Sequence, residues 1–250
     1  MSAGAARNAG RWPPPRVGLL DGFSLELGDS ARPVGELPRG VQRLVAHLAL
    51  CRWPARTAIA GELWPDVPEE HAQGSLRSAL WRVQKAAPGL VDASAGTLAL
   101  ARGVRVDVWE LTVWARRALD PHGPADDAIP ESALRGELLP GWYDDWVLLE
   151  RERLRQLRMH ALESAAVRLT AAGRHGEALQ AAYAAVRAEP LRESAHRAVV
   201  RVHLGEGNVT EAVRAFDAFR RLLHEELGVG PTEQMTRLVR GLLQPWPAVG

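Results

Sequence analysis

The sequence is poor in sulfur, and it lacks any long apolar stretch. Cys51 is the single cysteine among 250 residues, so no disulfide can form within the chain, and a cytoplasmic location is expected. No apolar run approaches the roughly 18 residues that a membrane span needs, so we expect no membrane segment. Residues 1–15 lack the apolar core of a signal peptide and are predicted to be a disordered lead-in.

Lysine is almost absent, which limits what the basic residues say about function. Lys85 is the sole lysine among 31 basic residues, and the excess of arginine and alanine is typical of a GC-rich coding bias. The net charge is only +1, but residues 1–106 contain 13 basic and 9 acidic residues, whereas residues 107–250 contain 18 and 21. A basic first half and an acidic second half are typical of a DNA-facing module joined to a module with another partner.

Signatures of catalysis, of metal binding and of nucleotide binding are missing from the sequence. The eight histidines show no metal-ligand spacing, and there is no phosphate loop or nucleophile elbow. His196 and His203, seven residues apart on a predicted helix, are interpreted as surface or core groups. We interpret a group of acidic residues at the start of another helix as a solvated cluster: Asp144, Asp145, Glu150 and Glu152. We therefore expect no enzymatic activity, no cofactor and no metal.

The stretch from Glu69 to Ala87 carries the strongest functional pattern. Placed on a helix at about 100° per residue, it has an apolar face for burial, formed by Leu76, Ala79, Leu80, Val83 and Ala87. The opposite face is polar but includes a tryptophan, and it is formed by Arg77, Ser78, Trp81, Arg82 and Lys85. Pro68 is placed in the first turn of this helix, and Pro88-Gly89 ends it.

The elements around this helix are predicted in the order strands, three helices and hairpin. The turn Asp21-Gly22 joins strands at 17–20 and 23–27, and residues 33–35 are a candidate third strand. The first two helices are predicted over 41–52 and 58–64, the second of them capped by Thr57. Residues 91–100 are predicted to form a hairpin with its turn at 94–96. This order is typical of a helix-turn-helix followed by a wing.

In such an arrangement the polar face of the third helix enters the major groove of DNA. Arg82 can donate two hydrogen bonds to a guanine edge, and Ser78 is short enough to allow close approach. Arg77 and Lys85 suit phosphate contacts, which fix register without reading sequence. The alternative is a solvated helix whose cations only keep the domain soluble. The exposed Trp81 and the flanking elements favour contact with DNA.

Three motifs resemble a known winged helix: Arg43-Leu44, Glu62-Leu-Trp-Pro-Asp66 and Leu80-Trp-Arg-Val-Gln-Lys85. They are similar to the output domains of response regulators, in the variant that opens the Streptomyces antibiotic regulatory protein family. The resemblance implies base-facing roles for Ser78 and Arg82, and backbone-facing roles for Trp81, Lys85 and Trp64. A tryptophan that closes a short helix is alternatively a core residue.

Two features depart from that family. The predicted wing tip, residues 94–97, has no basic residue, which leaves Thr97, Arg102 and Arg105 as the nearest candidates for DNA contact there. Gly74 stands where family members more often carry a polar residue, and a glycine weakens a helix by about 1 kcal/mol relative to alanine. Both departures predict a modest affinity for DNA per monomer.

A helical repeat with a 34-residue period is predicted in the second half. Segments 173–179 and 207–213 align at this offset, and each follows one helix and opens another. The predicted helices are 151–172, 176–188, 192–206 and 210–226. Small and aromatic residues occupy equivalent positions at the predicted packing seam: Ala182 and Ala185, Phe216 and Phe219. The glycines at 228–230 are interpreted as a helix end before Thr232 caps a last helix, and not as a phosphate loop.

The second half resembles the bacterial transcriptional activation domain that follows the winged helix in the same family. The similarity lies in Gly136-Glu-Leu-Leu-Pro-Gly141, in Trp146 with Glu150-Arg-Glu-Arg153, and in Glu226-Leu-Gly-Val-Gly-Pro231. We therefore predict a mainly α fold with a small β component. A winged helix-turn-helix domain spans 16–106, and an all-α, tetratricopeptide-like domain spans 107–250.

The resemblance implies a sequence-specific transcriptional activator. It would bind direct repeats in double-stranded promoter DNA as a homodimer and recruit RNA polymerase through its sigma factor and core subunits. It would act in the cytoplasm at the nucleoid and control a secondary-metabolite pathway. The alternative is a tetratricopeptide-like scaffold or ligand sensor whose winged helix no longer binds DNA specifically.

Overall fold

The chain is described by a computed structural model that covers residues 14–28, 37–51, 55–94, 96–122 and 128–241. Most of the predicted lead-in and the candidate strand at 33–35 lie outside these ranges. The described residues form two compact units, one from residues 1–110 and 137–152, the other from 111–136 and 153–250. Among the described residues, no helix is both long and apolar enough to span a bilayer.

A small sheet opens the first unit. Strands β1 (Arg16–Gly18) and β2 (Ser24–Glu26) pair antiparallel, and β1 also pairs in parallel with β5 (Arg105–Val106). The predicted hairpin turn is confirmed, because Asp21 and Gly22 both have positive φ, 65° and 125°. A type I′ turn requires this conformation at both central residues.

Three helices follow: α1 (Arg39–Leu50), α2 (Arg56–Leu63) and α3 (Glu69–Ala86). The predicted cap of α2 by Thr57 is wrong, because Thr57 lies inside the helix. The N-cap residue is Ala55, whose side chain forms no capping hydrogen bond. Pro68 likewise precedes α3 as its N-cap and does not lie in its first turn. Each helix nevertheless lies within a few residues of its predicted position.

A hairpin completes the predicted order. Strands β3 (Val91–Ser94) and β4 (Thr97–Leu100) pair antiparallel, with Val91 opposite Leu100. The hairpin also holds the start of α2: Ala55 forms a β-bridge with Thr97, and the amide of Arg56 donates to the carbonyl of Gly96 over 3.2 Å. An uncapped helix leaves its first amides unsatisfied, so the hairpin here supplies one acceptor that no local side chain provides.

The segment 137–152 packs within the first unit. Leu138 forms a β-bridge with Leu20, and the amide of Leu139 donates to the carbonyl of Leu19 over 2.8 Å. The guanidinium of Arg151 donates to the carbonyls of Leu138 and Leu139. The boundary predicted between residues 106 and 107 separates the two family domains. The compact units divide the chain at other residues and do not test this boundary, so it stays a prediction.

One buried carboxylate joins the sheet to the next helix, α4 (Asp107–Leu119). Asp107 is fully buried and accepts hydrogen bonds from the amides of Leu19, Leu20 and Val108 at distances from 2.8 to 3.1 Å. Backbone amides are strong donors to an ionised acceptor. The sequence reading had given no role to this residue.

The second unit is helical in its described part. In addition to residues of α4, it is built from α5 (Glu131–Leu134), α6 (Asp145–Ala171), α7 (His175–Ala188), α8 (Glu193–Glu206), α9 (Val209–Leu227) and α10 (Glu233–Val239). The first residues of α6 belong to the first unit. The predicted helices of the repeat are confirmed to within a few residues, apart from an earlier start to α6. The four-residue helix α5 was not predicted.

The packing seam of the repeat is confirmed. Ala182 and Ala185 are fully buried, as is Phe219, and Phe216 is 5% exposed. The aromatic pair forms a core with Leu223 of the same helix and with residues of the flanking helices, among them Val200, Met235 and Val239. Gly228 ends α9 with a left-handed φ of 67°, and the hydroxyl of Thr232 caps α10 by accepting from the amide of Met235. The predicted fold class, mainly α with a small β component, is confirmed.

Candidate nucleic-acid interface

Helix α3 has the two faces that its periodicity predicts. Leu76, Ala79 and Val83 are buried, and Ala87, which follows the helix, is 1% exposed. On the opposite side Arg77, Ser78, Trp81, Arg82 and Lys85 are all exposed. Trp81 has 63% of its surface exposed, which is unusual for so large an apolar side chain. Burial of the apolar face fixes the helix, and its cationic face is left to solvent.

The three cations of this face have no anionic partner within the described part of the chain. Lys85 makes one contact, with its ammonium 5.2 Å from the centroid of the Trp81 ring. A cation over the face of a tryptophan is held by the ring quadrupole without losing its charge. The face therefore offers unneutralised positive charge and hydrogen-bond donors to a ligand.

Two arginines of α1 are, by contrast, engaged within the first unit. The guanidinium of Arg39 lies 3.6 Å from the centroid of the Trp142 ring, and Arg43 is paired with the carboxylate of Asp144. Burial lowers the pKa of Arg39, while the charge of Asp144 opposes this change and that of Arg43 adds to it. The expectation that Asp144 is solvated is wrong, because its side chain is only 15% exposed and faces Arg43.

The first turn of α3 carries the opposite charge. Glu69 and Glu70 are both exposed and follow the N-cap Pro68. Carboxylates at this end of a helix are favoured by the helix dipole, but they repel phosphate groups. The cationic part of the face therefore begins at Arg77, two turns into the helix.

A cleft of about 610 Å³ lies between the start of α1 and α3. Trp64 lines it together with Arg77, Ser78 and Arg82, so four of the predicted site residues meet here. Trp64 is half-buried, and its ring lies 3.8 Å from where a Cβ on Gly40 would stand. The two readings of Trp64 are therefore compatible, since one part of the ring packs on α1 and the other borders the cleft.

Sequence reasoning did not name the remaining polar residues of the cleft wall. His71 and Ser75 line the same cleft as Ser78 and Arg82. Their spacing of three or four residues puts them on one strip of α3. The periodicity that identified Arg82 therefore also indicates Ser75 and His71, which lie in the first two turns of the helix.

The two wing candidates do not line this cleft. Thr97 is partly exposed at the start of β4, and its hydroxyl donates to the carbonyl of Ser94 over 2.7 Å. That bond uses the donor hydrogen, so the oxygen can only accept from a further ligand. Arg102 is exposed in the turn that follows β4. Arg105, the other basic residue nearby, donates to the carboxylate of Glu110 over 2.6 Å.

Residues 106–243 match the bacterial transcriptional activator domain. The chain belongs to that family. It is 30% identical over 223 residues to the regulatory protein AfsR of Streptomyces coelicolor, and 28% identical over 219 residues to AfsR of Streptomyces griseus. These alignments cover 83% and 81% of this chain but 22% of each relative, so the chain spans only a small part of the curated relatives that it matches.

A solved structure of another protein has a similar fold. Mycobacterium tuberculosis EmbR, in a complex with a low affinity phosphopeptide, is similar with a TM-score of 0.63 and 20% sequence identity. The similarity covers 94% of this chain and 66% of that one, and at this identity it shows the fold alone. The family match and the two regulatory proteins confirm the resemblance to Streptomyces antibiotic regulatory proteins.

Proposed function

We propose that the chain is a sequence-specific, DNA-binding transcriptional activator. One observation carries this proposal: the exposed face of α3 combines three unpaired cations with a tryptophan that the core does not use. A helix-turn-helix binds DNA with such a face, because the major groove admits one helix and presents acceptors to its donors.

The side chains of this face divide into two roles. Arg82 can donate two bonds to the O6 and N7 atoms of guanine, and Ser78, one turn earlier, allows close approach to the bases. Arg77, on the flank of the face, and Lys85 suit phosphate groups. The exposed indole of Trp81 and the free part of Trp64 contact the sugar-phosphate backbone.

The wing has a minor part in this proposal. Arg102 is exposed and carries a charge that can reach a phosphate or the minor groove, and the oxygen of Thr97 can accept one hydrogen bond. Since the wing tip has no cation, α3 supplies most of the affinity and nearly all of the base readout.

The second unit provides the contacts by which the activator acts on transcription. We propose that it binds RNA polymerase, through the sigma factor and core subunits, and that two chains bind direct repeats in one promoter. Family membership supports these roles. A role in secondary metabolism is supported by the alignment with AfsR from two species of Streptomyces. Such an activator works in the cytoplasm, at the nucleoid.

Two variants test the assignment of roles on α3. DNA upstream of the neighbouring genes is footprinted first, and the protected fragment is then compared with random DNA of equal length. Arg82→Ala should weaken binding to the protected fragment by about 1–3 kcal/mol and leave binding to random DNA nearly unchanged. Lys85→Ala should weaken both alike and reduce the slope of log K against log salt by about 1.

The matched control is Arg187→Ala, since Arg187 is an exposed arginine of α7 in the other unit. It should leave both affinities and the salt slope unchanged. If Arg82→Ala and Lys85→Ala cause the same loss on both DNAs, the assignment of Arg82 to base readout fails.

A second candidate function is a helical scaffold or ligand sensor that has lost specific DNA binding. The acidic first turn of α3, with Glu69 and Glu70 exposed, favours it because these carboxylates repel the DNA backbone. This candidate predicts no footprint, no preference over random DNA and an affinity that does not change with salt. A salt titration of the unmodified chain therefore separates the two functions.

A further inference from the structure

Two helices of the first unit bring together an imidazole, a thiol and a carboxylate. His47 and Cys51 lie one turn apart at the end of α1, as the 2.8 Å bond from the Cys51 amide to the His47 carbonyl shows. Glu62 belongs to α2, and its Oε2 lies 2.5 Å from Nε2 of His47. Within the described residues, one ligand atom from each of the three lies within 4.8 Å of the other two.

The hydrogen bonds of His47 are incomplete. The residue is only 1% exposed, and Glu62 is the partner of its Nε2. Its Nδ1 is buried and has no hydrogen-bond partner among the described residues, and the ring packs against Trp146 in a T-shaped arrangement at a centroid distance of 5.2 Å. Nε2 faces Glu62, so it is the ring atom available to an ion held between the two side chains.

The electrostatic surroundings favour a cation at this point. Burial raises the pKa of the Cys51 thiol, and the charges of Glu62 and Glu150 raise it further. The same negative potential that holds a proton on the sulfur attracts a divalent cation, which deprotonates a coordinating thiol. The side chain of Glu62 is 52% exposed, so the cluster is open to solvent on that side.

We propose that His47, Cys51 and Glu62 bind a divalent metal ion of the zinc class. Thiolate, imidazole and carboxylate are the ligands that Zn²⁺ takes in proteins, and three protein ligands leave a fourth position for water. Bond lengths of about 2.0–2.3 Å place tetrahedral ligands about 3.5 Å apart, so the widest pair must close by about 1 Å. On binding, the thiol proton passes to the solvent, and His47 coordinates through a ring nitrogen that carries no proton.

Such an ion would cross-link the end of α1 to α2. Glu62 comes from a different helix than His47, so spacing along the sequence does not indicate this site. Metal binding here does not depend on binding of DNA. It would stabilise the helix-turn-helix that holds α3, because an ion bound only by the folded state shifts the unfolding equilibrium.

Cobalt(II) tests the site directly in the full chain. Titration of the metal-stripped protein should produce the near-ultraviolet thiolate-to-cobalt charge-transfer band and the visible bands of a four-coordinate ion, saturating at one ion per chain. Because Cys51 is the only cysteine, the charge-transfer band reports on this site alone. Zinc should displace cobalt and abolish both sets of bands.

Two variants keep the test decisive if changes at the buried His47 prevent folding. Cys51→Ser should remove the charge-transfer band while the protein keeps its far-ultraviolet circular dichroism. Glu62→Gln preserves the shape of an exposed side chain and should weaken cobalt binding by about 10-fold or more. The control is Glu69→Gln, an exposed glutamate of α3 outside the cluster, which should bind cobalt as the unmodified chain does.

Alkylation of the thiol gives a second, independent measurement. Zinc should slow the reaction of Cys51 with iodoacetamide in the unmodified chain and in Glu69→Gln, but much less in Glu62→Gln. Failure to observe a charge-transfer band in the folded protein would overturn the proposal. Equal cobalt affinity in Glu62→Gln and the unmodified chain would do the same, and the cluster would then be a buried ion pair beside a thiol.

Discussion

Replacement of Asp107 by asparagine should destabilise the first unit, because it exchanges one hydrogen-bond-accepting oxygen for an NH2 group. Oδ2 of this carboxylate accepts from the amides of Leu19 and Leu20, each at 2.9 Å, and Oδ1 accepts from Val108 at 2.8 Å. Asparagine keeps one oxygen but presents an NH2 group where the other stood. Whichever way the amide turns, its NH2 group faces at least one backbone N–H donor: Val108 if the oxygen takes the Oδ2 position, and Leu20 if it takes the Oδ1 position, where Leu19 can still donate.

The loss can be estimated from the bonds. A hydrogen bond to a charged group contributes about 1.5–3 kcal/mol when its partner is buried. Asp107→Asn removes at least one such bond, so we expect the free energy of unfolding to fall by at least about 1.5 kcal/mol. A loss of this size is well outside the range of about 0.5 kcal/mol that is typical of surface substitutions.

Urea unfolding followed by fluorescence measures this loss, since the chain has 9 tryptophans. Asp66→Asn is the matched control, because Asp66 is exposed between α2 and α3, and it should change the free energy of unfolding by no more than about 0.5 kcal/mol. If Asp107→Asn unfolds at the same urea concentration as the unmodified chain, the assigned hydrogen bonds do not stabilise the unit and the reasoning is refuted.

Two further changes in stability follow from the structure. Gly74→Ala should raise the free energy of unfolding by up to about 1 kcal/mol in urea titrations, because glycine is a poor helix former. The new Cβ would lie at an ordinary 3.8 Å from the guanidinium of Arg77; a loss of stability instead would show that the position is crowded. For His196, burial lowers the pKa, although its hydrogen bond to the Pro190 carbonyl opposes this, so the folded chain holds the ring neutral. The unfolded chain binds a proton near the ordinary pKa of 6.5, so stability should be full above that pH and fall as the pH is lowered below it. The urea midpoint of His196→Gln should show a smaller fall over the same range, and an equal fall in both proteins would contradict this assignment.

Much of the fold and part of the candidate site could be predicted from local periodicity. Leu76, Ala79 and Val83 recur at helical spacing, and burial of that strip alone determines that Arg82 faces solvent. The 34-residue offset predicted the repeat for a similar reason, since equivalent seam positions must fill the same space. Patterns of this kind are contained within a single helix or a single repeat, so the sequence of that segment alone predicts them.

Contacts between distant residues could not be predicted in this way. Arg43 and Asp144 are 101 positions apart, and nothing near either residue indicates the pair. The prediction of Thr57 as a cap was wrong because it used only a hydroxyl next to the expected helix start. The observed start of α2 depends on the pairing of Ala55 with the distant Thr97. His47 and Glu62 could not be paired from the sequence for the same reason, because they lie on two separate helices.

The bridge from Ala55 to Thr97 has a consequence for how the chain folds. Helix α2 is 8 residues long and has no capping side chain, so in isolation it would hardly form in water. Its first amide gains its acceptor, the Gly96 carbonyl, only after the hairpin has closed about 40 residues further along the chain. We therefore expect α2, the middle helix of the three, to lose stability when the hairpin that follows it in sequence is removed.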